Sequence, residues 1–218
     1  MNHLCVALIG GGSERNPSGW KKRNLENTLL YRTERFNTGY FALVMATGIV
    51  SIAALSLNMK GIAWSLFRLN KLSYAILIIL WIACLLRCFT LFVRDISSLE
   101  GGPALFTIVA GTCILGSEFV LFSRNFTAGL FLWLTGTVLW FVFFYAFFTK
   151  VIMGETDLSF VEKFDEGWLI YAVGTQSVSL LSTLIAPGYP AKQETFLLFA
   201  LLMYLLGGAL YLLLIVLI

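Results

Sequence analysis

Hydroxyl and amide side chains fall in the middle of long apolar runs at three places: Ala46-Thr47-Gly48, Ala110-Gly111-Thr112 and Val173-Gly174-Thr175-Gln176-Ser177. Thr175, Ser179, Ser182 and Thr183 are spaced i, i+4, i+7 and i+8, one stripe of a helix. Thr47, Ser51 and Ala54 repeat that spacing, as do Thr107, Gly111 and Glu118, beside Thr112 and Gly116. Such groups offer dipoles and close backbone approach rather than acid–base or nucleophilic chemistry. They serve either tight helix packing or a path for a polar solute. Repetition in alternate runs at similar depth favours the path, and Gln176 adds to it, because a mid-membrane amide needs partners or a wet cavity. The candidate path-lining residues are Thr47, Gly48, Ser51, Gly111, Thr112, Gly116, Thr175, Gln176 and Ser179.

Nothing in the chain points to catalysis. There is no H-E-x-x-H, no intramembrane Asp pair and no Ser–His arrangement within the runs. Cys5, Cys84, Cys88 and Cys113 form no metal pattern, and the single His is His3, so no metal or other cofactor is expected. Cys84 and Cys88 read as packing thiols. Two ionisable groups fall inside runs. Glu118 is either an interfacial carboxylate or a charge at the outer mouth of a path, and Arg124 follows it by six. Arg87 is near enough to a run's end to snorkel.

The elements that carry these residues are transmembrane helices. The chain is 59% hydrophobic and only 12% charged, about half the charge of a soluble domain, with a mean hydropathy of +0.86. Six runs reach the roughly 20 residues a helix needs to cross a bilayer: about 39–57, 72–92, 104–122, 127–152, 167–186 and 195–218. Their short connections make antiparallel hairpins. The fold class is an all-α polytopic bundle. The odd helices, with small and polar centres, are expected inside; the second and sixth, bulky and aliphatic, suit an outer shell. Residues 1–36 read as a basic tail, in which Asn24–Arg35 is either a short amphipathic helix on the inner leaflet or part of a disordered segment. Residues 154–166 read as a solvated acidic loop.

Lys and Arg give the orientation. Ten fall on the side of the tail, counting Arg87, Arg94, Lys150 and Lys163; five fall opposite, namely Lys60, Arg68, Lys71, Arg124 and Lys192. The positive-inside bias puts the amino terminus in the cytoplasm, and the expected location is the inner membrane. The last run stops at Leu-Leu-Leu-Ile-Val-Leu-Ile with no interfacial residue after it, which predicts an incomplete carboxyl end.

Gly39-Tyr40-Phe41-Ala42-Leu43-Val44-Met45-Ala46-Thr47-Gly48-Ile49-Val50-Ser51-Ile52-Ala53 resembles the tellurite-resistance/dicarboxylate transporter family, which includes the slow anion channels of plant guard cells. Ala110–Ser117 and Gly167-Trp168-Leu169 with Gly174–Ser179 are similar to it as well. The resemblance implies ten helices in five hairpins, odd ones around a central pore, and three such protomers together. This chain would hold six of the ten, so by itself it is expected to leave part of the ring open; the ninth helix, with the family's occluding phenylalanine, has no counterpart. Glu118 stands where relatives often carry a neutral Gln, which implies that it is neutralised or faces away from the path. The expected function is passage of small anions, C4-dicarboxylates, tellurite or inorganic ions, with no nucleic-acid partner. The alternative is a non-transporting membrane scaffold whose small residues serve helix packing alone.

Overall fold

A computed structural model describes residues 38–87, 102–153 and 166–217. The basic tail, Arg94, Cys5, Cys88, Lys163, the acidic loop and Ile218 lie outside the described residues, as do the side chains of Arg87 and Lys150. Every element among the described residues is helical. Six α-helices follow in order: α1 (Phe41–Ser56), α2 (Lys60–Arg87), α3 (Gly102–Ser123), α4 (Phe126–Met153), α5 (Ile170–Ile185) and α6 (Gln193–Leu217). Short 3-10 turns lead into α1 (Thr38–Tyr40) and flank α5 (Glu166–Leu169, Ala186–Gly188).

Five of these helices are long and apolar enough to cross a membrane, and α1 is a shorter apolar helix. The chain is thus a multi-pass membrane protein. The largest difference from the sequence reading is α2, which starts at Lys60 rather than near 72 and runs 28 residues. At 1.5 Å per residue that is about 42 Å, more than the hydrocarbon core needs. Lys60, Arg68 and Lys71 therefore ride on the helix instead of sitting in a loop. Lys and Arg are good helix formers, and Lys71 lays its ammonium over the Phe67 ring, 4.4 Å from the centroid.

The turns after α1 and α3 are built locally. Asn58 and Arg124 both take positive φ, 62° and 51°, the left-handed stop that frees the chain to reverse after a helix. In both turns the backbone closes by long-reach bonds, Met59 N to Ala54 O at 2.9 Å and Asn125 N to Phe119 O at 3.3 Å. Asn125 then accepts from the Ala128 N–H at 3.0 Å, capping α4.

Helix α3 is the axis of the bundle: it packs against α1, α2, α4 and α5, and α1 and α5 flank it on opposite sides. Helix α2 backs α1, α4 backs α3 and α5, and α6 backs α5. Burial follows the same order. In the most apolar stretch, 83% of α3 residues and 61% of α5 residues are buried, against 6%, 28% and 22% for α2, α4 and α6. Helix α1 buries one stripe: Phe41, Val44, Gly48, Ser51 and Ala54. The odd helices are inside and the even ones outside, because Gly and Ser let backbones approach while Leu, Ile and Phe fill the outer surface.

Candidate functional site

Glycines fix how closely the inner helices meet. A side chain at Gly48 would drive its Cβ into Ile114 and to within 2.9 Å of Asn70 Nδ2; one at Gly116 would come within 2.6 Å of Leu181. At Gly111 the added carbon would lie 3.3 Å from the Phe41 carbonyl oxygen, at the contact of α3 with α1. Val44 faces Gly111 and Ser51 faces Glu118, each pair 67 residues apart. That constant offset sets α1 and α3 parallel. Thr47 therefore lies beyond Gly111 by about one turn, so the small-residue centres are staggered.

Hydroxyls of the inner helices are all paired where they are buried. Thr112 donates to Ile108 O at 2.7 Å and shares a 3.0 Å bond with the Tyr74 hydroxyl of α2. Thr175 donates to Tyr171 O and accepts the Trp140 indole N–H at 2.9 Å. One heptad on, Ser182 donates to Val178 O and accepts from Trp133 at 2.5 Å. Two indoles of α4, seven residues apart, thus meet two hydroxyls of α5 with the same spacing. Toward α6, Ser179 donates to Ala200 O at 2.7 Å and Gln176 to Tyr204 O at 3.1 Å. Each bond satisfies a polar group that would otherwise cost roughly 1–3 kcal/mol when buried.

Of the nine path residues named from sequence, Gly48, Ser51, Gly111, Thr112, Gly116, Thr175 and Ser179 are buried, while Thr47 and Gln176 keep part of their surface open. The structure brings Gly48 and Ser51 to one junction and distributes the others among separate helix contacts. On the outer shell, Leu205 is exposed, and Leu77 and Trp81 are half-buried.

The junction of α1, α2 and α3 holds a group that sequence placed at an interface or a mouth. Glu118 is fully buried. Ser51 Oγ contacts one carboxyl oxygen, and Asn70 Nδ2 donates to the other at 2.6 Å. Ser51 Oγ also lies 3.0 Å from the Gly48 carbonyl oxygen. Asn70 is fully buried too, and its Oδ1 has no partner. Burying an unpaired carboxylate costs roughly several kcal/mol even after relaxation, so the junction has to answer that cost. Asn70 was hidden from sequence reading by its neighbours Arg68 and Lys71, which made the segment look like a loop. The seven-residue spacing of Trp133 and Trp140 is the sequence signal of the indole–hydroxyl pairs.

A multi-pass bundle whose inner helices carry paired hydroxyls defines a polytopic membrane protein. The family model described as voltage-dependent anion channel matches residues 35–218, and the chain belongs to that family, the one its motifs resemble. It is similar to an uncharacterized transporter of Methanocaldococcus jannaschii, 24% identical over 159 residues, which are 71% of this chain and 46% of the relative. The chain spans about half the length of that relative. No solved structure matches it significantly.

Proposed function

We propose that the chain forms the wall of a passage for small anions, such as C4-dicarboxylates, tellurite or inorganic ions, in the inner membrane, with its amino terminus in the cytoplasm. The observation that carries this reading is the family match over residues 35–218. The inner position of α1, α3 and α5 supports it, since these helices bear the hydroxyl and amide groups. On this reading Thr47 and Gln176, which keep part of their surface open, are the polar groups that meet a solute. The buried seven hold the wall in register. An anion moving past oriented dipoles, with few fixed cations to trap it, can enter and leave. Three copies side by side are the assembly the family resemblance suggests.

A second reading has its own observation. Gln176 and Ser179 spend their donors on α6 carbonyls, and Gly48 and Gly116 seat neighbouring side chains. In a scaffold that assembles other membrane subunits, packing would be their whole use. Vesicles carrying the folded chain separate the two. Malate, chloride or tellurite flux above empty vesicles, reduced several-fold by Thr47→Leu, supports the passage. Folded protein with no flux, and with a Thr47→Cys thiol closed to water-borne reagents, favours the scaffold.

A further inference from the structure

We propose that Glu118, held by Ser51 and Asn70 where α1, α2 and α3 meet, is a proton-binding site: its side chain is a neutral carboxylic acid at neutral pH, and the ligand it takes and releases is a proton. The proposal stands on the geometry of this junction and holds whether or not the chain passes anions.

Hydrogen accounting comes first. Ser51 has one hydroxyl hydrogen but faces two acceptors, the Gly48 carbonyl and a Glu118 oxygen. A proton on Glu118 lets both contacts be hydrogen bonds: Glu118 donates to Ser51 Oγ, Ser51 donates to Gly48 O, and Asn70 Nδ2 donates to the second carboxyl oxygen. Without that proton, Ser51 serves one acceptor only.

Charge balance points the same way. Helix α1 has no titratable side chain. Helix α2 brings Lys71 toward the carboxyl, but its ammonium lies over Phe67, and no ion pair joins it to Glu118. Tyr74, further along α2, is engaged with Thr112. Helix α3 itself adds Cys113, which lies against Gly136 of α4. The titratable residues of α4 and α5 are Tyr145, Lys150 and Tyr171, toward the opposite end of the bundle. The two side chains that touch the carboxyl, Ser51 and Asn70, are both uncharged, so within the junction a proton is the cation that fits. Its departure would turn the Ser51 hydrogen from Gly48 O, on its own helix, to the carboxylate on α3.

Infrared spectra of the chain in lipid vesicles test this. At neutral pH the wild type should show a protonated-carboxyl C=O band that shifts in D2O, is absent in Glu118→Gln, and moves to higher frequency in Ser51→Ala, which removes the acceptor of its hydrogen. If Glu118→Gln does not fold, wild type labelled with 13C-glutamate gives the same answer, since only a protonated glutamic acid moves an acid band on labelling. Glutamate bands that are wholly those of ionised carboxylate overturn the proposal.

Discussion

The two sides of α3 solve the same problem with different chemistry. Toward α4 and α5, neutral hydroxyls bond first to their own helix backbone and then receive an indole N–H: Thr175 from Trp140, Ser182 from Trp133. Every partner is uncharged, and the pairs recur at a heptad. Toward α1 and α2, a carboxyl is enclosed by one hydroxyl and one amide, with an acceptor left over on Asn70. The first side is a set of separate bonds that can be lost one at a time. The second is a single unit in which each bond depends on the next. Polar groups buried in a bundle are thus of two kinds, those that fasten helices and those whose own state can change.

That contrast can be broken most severely at Gly48. Gly48→Leu should overpack the junction and cost about 1–3 kcal/mol or more, seen as a large fall in the thermal midpoint of the purified protein. Gly208→Leu, at a site with open space around the glycine, should leave it nearly unchanged. A Gly48→Leu protein as stable as wild type would show that the close approach of α1 to α3 is not required.

A middle-sized effect is expected at Glu118. Glu118→Ala leaves Asn70 Nδ2 without its partner, while Ser51 keeps Gly48 O, and should cost about 1–3 kcal/mol. Glu118→Gln keeps a group of the same shape and should cost less than half as much by the same unfolding measurement. Equal losses would mean that the junction needs charge rather than shape. The smallest effect belongs to the other side. Trp140→Phe removes one interhelical donor while Thr175 keeps its backbone bond, for a cost near 0.6 kcal/mol, typical of bonds between membrane helices. A double-mutant cycle with Thr175→Val should recover that coupling, and a value several times larger would contradict the picture of separable bonds.

Much of this fold is written plainly in the chain. Gly and Thr centre α1, α3 and α5 whereas Leu and Ile dominate α2 and α6, but Thr135-Gly136-Thr137 of α4 and Gly207-Gly208 of α6 carry the same signature on outer helices, so small residues alone do not separate the two sets. Hydropathy marks a helix by what lipid tolerates, so it missed the first three turns of α2, where Lys60, Arg68 and Lys71 lower the average. Asn70 was lost with them. Periodicity showed that Thr175, Gln176 and Ser179 lie close together on α5, but not which neighbour each one meets. The direction of a polar side chain depends on partners far away in sequence, as Glu118 shows: its position near a helix end suggested water, and its burial comes from residues 48 and 67 positions earlier.

If the proposed passage exists, Thr47 of α1 meets water while Leu205 of α6 meets lipid. Replacing the four native cysteines and introducing Thr47→Cys or Leu205→Cys singly allows both to be probed with a small, membrane-impermeant anionic thiol reagent. The account predicts that the thiol at position 47 reacts, that malate or chloride slows it, and that the thiol at position 205 stays unreactive. Labelling at 205 with none at 47 would contradict it.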